Sequence, residues 1–350
     1  MTDAAARRDE AVAALRRVAF LLERAQASSY RSEAFRTAAG VVEQQPPDRL
    51  AALVQAGAVS ELTSVGARTA GVVENVWRGR DVPYLRELEE ALAATLATER
   101  AAAPAGSDEL RAALRGDLHA HSEASDGATS IQEMVLAALE LGHEYQAITD
   151  HSPRLTVANG LSAARLRGQV EHVRALNRAV APFVVLTGIE VDVLDDGSLD
   201  QDPALLAELD VVVASVHSKL RMDPAAMTRR MLRAVRDPHT DVLGHCTGRR
   251  LLGKQRPRSE FDARAVFEAC AEHGVAVEIN CRPDRLDPPH DLLAIAAEVG
   301  CDFAIDTDAH APGQLDWQAV GCARAAQHGI TAGRVITTWP VERLLARTRT

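Results

Sequence analysis

From residue 116 onward the chain alternates between two kinds of segment. Seven short apolar runs lie near 116–120, 145–149, 183–189, 210–216, 241–245, 274–280 and 302–307. Between them are stretches with helical spacing, such as SIQEMVLAALELG, AARLRGQVEHVRALNRAV and AVFEACAEHG. Strands joined through helices run parallel, because each crossover brings the chain back to the same end of the sheet. Seven such units predict a closed α/β barrel, a (β/α)7 relative of the eight-stranded type, with its chemistry on the C-terminal rim of the strands. Nine residues able to bind metal fall at or just after the ends of these runs. They are His119, His121 and Asp126 in DLHAHSEASDG, His151 in ITDHS, Glu190 in TGIEVD, His217 in VVVASVHS, His245 in DVLGHCTGR, and Asp308 and His310 in IDTDAHA. Imidazoles and carboxylates without thiolate favour zinc, manganese or iron over a structural thiolate site.

Apolar residues make up 47% of the 350, so a sizeable core is available, but aromatics are only 3% and Ala, Val and Leu must fill it. No apolar run approaches the roughly 18 residues of a membrane span, and the polar start MTDAAARRDEAV has no secretory pattern. The expected location is the cytoplasm. The five cysteines are read as buried small apolar residues without disulfides. A formal charge of −10 speaks against broad electrostatic wrapping of nucleic acid without excluding a local site.

Residues 1–90 read as helical throughout. Val12, Leu15, Val18, Ala19 and Leu22 share one helix face. Helices are also expected over SEAFRTAAGVVEQQ and PDRLAALVQAG, and after the turn in ELTSVGARTAGVVENVWRGR. Residues 91–115, Ala-rich with PAGS inside, read as a linker with some helix, and residues 116–350 as the barrel.

The motifs DLHAHSEASDG, ITDHS, TGIEVD, ASVHS, GHCTGR, EINCRPDRLD and TDAH together resemble the polymerase and histidinol phosphatase (PHP) domain over about 116–345. The form most similar is the PHP domain of bacterial family X DNA polymerases. The resemblance implies a distorted seven-stranded barrel holding two to three divalent metals. It implies a first metal on His119, His121, Glu190 and Asp308. A second falls to Glu190, His217 and His245, with Glu190 bridging, and a third to Asp126, His151 and His310. Manganese or zinc is expected, with iron as a further candidate. Arg249 and Arg285, in the family-like TGR and RLD, are expected to join Glu190 as catalytic residues by clamping the phosphate. Cys246 stands where the family often has Pro.

LTSVGARTAGVV resembles a helix-hairpin-helix, a turn whose backbone N–H groups meet a nucleic-acid phosphate. Val65, Gly66, Arg68 and Thr69 are the DNA contacts this implies. Ser64 stands where a hairpin Gly is common, and Val72 where relatives with lyase activity carry a lysine. No polymerase core separates the two modules. The activity expected is phosphoester hydrolysis by a hydroxide shared between metals, acting as a 3′ to 5′ DNA exonuclease or DNA-end processing enzyme in DNA repair. The alternative is a small-molecule phosphomonoesterase of the histidinol-phosphate or nucleotide type.

Overall fold

The computed structural model of the chain describes residues 2–348, which fall into two compact units, Met1–Ala102 and Ala103–Thr350. The first unit is all helical: α1 (Thr2–Arg24), α2 (Ser29–Glu43), α3 (Pro47–Ala56), α4 (Ala67–Trp77) and α5 (Pro83–Ala102). Leu15, Val18 and Leu22 of α1 are buried together with Phe35, Leu50, Val59 and Val73. α3 begins on Pro47, whose missing N–H costs nothing in a first turn, and stops at Gly57 in the left-handed region at φ 68°. The stretch 91–115, read as a linker, carries the second half of α5 and then α6 (Ser107–Ala113). Leu110 and Leu114 are buried in the core of the second unit.

Among its described residues that unit contains seven strands: β1 (Gly116–Asp117), β2 (Tyr145–Ile148), β3 (Val184–Asp192), β4 (Val211–Ser215), β5 (Val242–Leu243), β6 (Ala276–Asn280) and β7 (Phe303–Asp306). They pair in sequential order, every pair parallel. The helices are α7 (Ile131–Glu140), α8 (Ala163–Val180), α9 (Pro203–Leu206), α10 (Pro224–Val235), α11 (Ala263–His273), α12 (His290–Glu298), α13 (Gln318–Gln327) and α14 (Val341–Thr348). Their starts are set locally: Ser130, Ser162, Asp223 and Asp262 each accept a hydrogen bond from a backbone N–H in the first turn. No described helix is long and apolar enough to cross a membrane.

The barrel closes between its first and last strands through side chains. Asp306 Oδ1 accepts from Leu118 N at 2.8 Å, and Asp117 Oδ2 accepts from Thr307 N at 3.0 Å and Thr307 Oγ1 at 2.6 Å. A parallel bridge between Ala120 and Ala309 continues the seam. Both carboxyls are fully buried. Burial pushes Asp117 up to about 6 and Asp306 well above the usual range, with the neighbouring Asp117 adding to the latter.

Strand alternation then sorts the interior. Along β2, β3, β4, β6 and β7 the buried residues Tyr145, Ala147, Leu186, Val211, Val213, Ala276 and Ala304 form one apolar cluster. Continuing each series by steps of two reaches His151, Glu190, His217, Glu278 and Asp308, because side chains on one face recur every second residue. The lower face is hydrocarbon and the C-terminal rim is polar.

Candidate metal centre

Glu190 lies at the centre of the rim, 1% exposed. Its Oε1 is 3.2 Å from His217 Nε2 and 2.9 Å from His245 Nε2. Its Oε2 is 3.3 Å from His119 Nε2, 3.5 Å from His121 Nε2 and 2.9 Å from His151 Nδ1. The two oxygens of one carboxylate therefore face different sets of histidines. Asp308 Oδ1 joins the first set, 3.4 Å from His121 Nε2. Asp126 Oδ1 forms a further focus, 3.9 Å from His121 Nδ1, 3.5 Å from His151 Nε2 and 3.4 Å from His310 Nε2. All nine residues read from the sequence come together, and His121 and His151 each lie between two foci.

The atoms themselves test whether cations suit these places. Both oxygens of Glu190, both ring nitrogens of His121, His217 and His245, Nε2 of His119 and Nδ1 of His151 are buried and lack a hydrogen bond. Orphans of this kind are costly in a protein interior. Ligands bound at about 2.0–2.2 Å around one zinc stand roughly 3.0–3.5 Å from each other, and the separations here run from 2.9 to 3.9 Å. Three groups have all their donor atoms within 4.8 Å of one another: His121, Asp126, His151 and His310; His119, His121 and Glu190; and His151, Glu190 and His217. Burial works against ionisation of Glu190, but His217, His119 and His151 outweigh it and hold its carboxyl well below the usual range. Burial likewise opposes ionisation of Asp308, and Arg282 and Arg285 bring it well below. Asp308 also has φ 51°, in the left-handed region that non-glycine residues rarely enter, a strain typical of functional positions.

Residues 117–282 match the family model of the PHP domain. Residues 117–282 of the barrel are thus assigned to the PHP domain. The DNA polymerase/3′-5′ exonuclease PolX of Bacillus subtilis is 43% identical over 218 residues, covering 62% of this chain and 38% of that protein. The chain thus spans well under half the length of that relative. A probable phosphatase of Aliivibrio fischeri is 29% identical over 207 residues, covering 56% of this chain and 78% of that protein. Among solved structures, a histidinol phosphate phosphatase of Lactococcus lactis, complexed with zinc, L-histidinol and phosphate, matches with a TM-score of 0.42 at 19% identity, covering 61% of this chain and 94% of that one.

Around the histidines the PHP barrel places carboxylates that the strand-end pattern did not single out. Glu278 on β6, fully buried, lies 2.5 Å from His119 Nδ1 and accepts from His245 N at 2.5 Å. Asp192, two residues past Glu190, accepts from His217 N at 3.2 Å and stands 3.4 Å from His217 Nδ1. Both fall inside quoted motifs, EIN and TGIEVD. The missing signal was that a metal-ligating histidine needs a partner on its other nitrogen. Asp150 Oδ1 accepts from Ser122 N at 2.8 Å, fixing the turn that carries His121 and Asp126. Gly244 must lack a Cβ: one there would stand 2.3 Å from Ser215 Oγ, so the residue before His245 has no room for a side chain. Glu278→Gln is expected to lower metal affinity or activity about 10–100-fold, the usual cost of losing such a partner. Isothermal titration with zinc, alongside a turnover assay, checks this, and unchanged affinity and rate would count against the orienting role.

The two arginines separate. Arg285 is 8% exposed, with Nε 3.1 Å from Asp308 Oδ2. Arg249 is engaged elsewhere: its Nε donates to Arg285 O at 2.8 Å and its Nη2 to Leu286 O. With these two donors it holds the loop after β6. Arg282 has Nη1 3.4 Å from Asp308 Oδ1 and 3.1 Å from His310 Nδ1. All five cysteines are buried and unbridged, and burial pushes the Cys246 thiol up, which keeps it neutral.

In the helical unit, Ser64 has φ 65°, the conformation a hairpin glycine would adopt without cost. Val65 and Thr69 are 4% exposed, and Thr69 Oγ1 donates to Gly66 O at 2.9 Å. Their side chains are used in packing and at the helix start, and of the three expected residues that carry side chains only Arg68 is exposed. Gly66 caps α4 and is exposed; Arg68 lies over the Tyr84 ring at 5.2 Å.

Proposed function

We propose that this PHP-domain phosphoesterase removes nucleotides from the 3′ end of DNA with two to three divalent cations, zinc or manganese. The observation that carries the reading is the division of Glu190, whose two oxygens face separate histidine sets within one buried cluster. His119, His121, Glu190 and Asp308 would hold one cation. Glu190, His217 and His245 would hold a second, and Asp126, His151 and His310 a third. Bound cations supply Lewis acidity and bring the pKa of water from roughly 15.7 towards about 7. The chain's residues do the rest. Asp308 is flanked by Arg282 and Arg285, His119 is oriented by Glu278, and Asp192 accepts from the backbone N of His217. No Ser or Cys nucleophile is required.

DNA as substrate is supported by the 43% identity to a protein named as a polymerase and exonuclease, and by the exposed N-terminus of α4, which offers backbone N–H groups to a phosphate. The second reading, a phosphomonoesterase, is favoured by the net charge of −10 and by the likeness to a probable phosphatase. The deciding experiment assays metal-loaded protein side by side on 3′-labelled single-stranded DNA, duplex DNA and a panel of phosphomonoesters. Release of mononucleotides from the 3′ end, at a kcat/KM above that for any monoester, is expected. Monoester hydrolysis without any on DNA would install the second reading.

A further inference from the structure

The loops that follow His217 and His245 enclose an open trough of about 910 Å³. Lys219 and Arg221 line it from one loop, and Arg250, Lys254 and Arg256 from the other; no lining residue is acidic. Lys219 and Lys254 are the only lysines of a chain with net charge −10. The local field is thus opposite in sign to that of the molecule, and such a cleft concentrates anions. Lys219 is paired with Asp195, and Arg250 stands 3.6 Å from Asp284. Among the described residues, no acidic partner lies within 4 Å of Arg221 or Lys254, and both are exposed.

The trough is built rather than accidental. Arg250 and Arg256 exchange backbone hydrogen bonds of 2.8 and 3.0 Å, closing a hairpin whose tip carries Lys254. Ser259 Oγ donates to Leu220 O at 2.7 Å, tying one loop to the other. Arg256 Nε donates to Gly248 O at 2.6 Å. The half-buried Arg256 has its guanidinium pKa lowered by burial and by the nearby charge of Arg285, and Arg285 in turn touches Asp308. Positive charge therefore runs from the hairpin to the candidate metal centre. No aromatic ring lines the trough, so it has no surface on which bases stack; what it can grip is charge.

A phosphomonoester has one phosphate, which the metal centre takes, and leaves these cations with nothing to do. Their spread over two loops, in a cleft at the upper end of the roughly 300–1,000 Å³ that encloses whole small ligands, suits a chain of phosphates passing through. We propose that the trough binds the backbone phosphates of the nucleic-acid strand next to the scissile ester, without regard to base sequence. This rests on the exonuclease reading above.

The test uses the full-length, metal-loaded chain and a fluorescein-labelled, hydrolysis-resistant phosphorothioate strand of about twelve nucleotides, read by anisotropy over a salt series. Arg221→Ala with Lys254→Ala is expected to weaken binding on the order of tenfold at low salt. The plot of log K against log salt should become shallower by about 1.4, or 0.7 for each lost contact with a single strand. Arg221→Lys with Lys254→Arg should bind as the parent does, and metal content should be the same in all three. Unchanged affinity and slope in the alanine variant would overturn the proposal. So would displacement of the strand by inorganic tripolyphosphate at equal phosphate concentration, which would mark a site for small polyphosphates. If the parent fails to hydrolyse DNA while the alanine variant still loses strand binding, the exonuclease reading falls and the trough stands. If the parent hydrolyses DNA and the variant binds as before, the trough falls alone.

Discussion

Glu190→Ala leaves a folded chain that hydrolyses phosphoesters at least about a thousandfold more slowly than the parent. The magnitude follows from the position. Removing one preorganised group that stabilises developing charge costs on the order of 10²–10³ in kcat, and this carboxylate serves two cations. His217 and His245 would lose the oxygen they share, at 3.2 and 2.9 Å, while His119, His121 and His151 would lose the other. The substitution also removes the negative charge around which five imidazoles gather. Elemental analysis should show fewer than the parent's metals per chain, and circular dichroism an intact fold. Turnover within a few-fold of the parent with full metal content would mean that the cations are held without this bridge.

Stripping divalent metal from the full chain lowers its Tm by roughly 8–16 °C. A cation that binds only the folded state at a thousandfold its Kd stabilises by about 4 kcal/mol, and one kcal/mol is worth about 2–4 °C for a domain the size of the barrel unit. The physical source is the set of orphaned nitrogens and oxygens around Glu190, which the cations satisfy. Loading also releases protons. In the metal-free chain burial works against protonation of His119 and His151, but neighbouring carboxylates win: His119 is raised well above its ordinary value and His151 to about 10. Both rings are therefore protonated near neutrality, whereas a cation takes the neutral ring, so apparent metal affinity falls as pH falls. Differential scanning calorimetry with and without chelator, and metal titration in weakly buffered solution, check the two parts. A Tm indifferent to chelation and a titration without proton release would contradict a metal centre here.

Much of the barrel was legible because its signals are local. Each of the seven apolar runs is bounded by polar turns, and each became a parallel strand. Caps such as Ser130 and Asp262 mark helix starts through bonds three residues long. The nine candidate ligands were legible because strand alternation and parallel order together send every strand end to one rim. Glu278 and Asp192 went unassigned because their value lies in a contact with a histidine on another strand, which no spacing encodes. Arg249 looked like a phosphate clamp from its motif. Only the course of the loop after β6 shows that its Nε and Nη2 donate to backbone carbonyls. In the hairpin motif, the burial of the Val65 and Thr69 side chains likewise became visible only in the folded helical unit.

By itself, then, the sequence determined the strand and helix periods, the parallel order and the donor chemistry of the rim, because these depend on residues close together in the chain. Tertiary structure decided how the donors are shared: which oxygen of Glu190 meets which histidine, which carboxylate stands behind each ring, and where the two lysines lie relative to the metal centre. Those arrangements join residues from strands and loops up to 190 positions apart, as in the Asp117–Thr307 seam. They are set by packing and by the closure of the barrel, which act only once the whole sheet has formed.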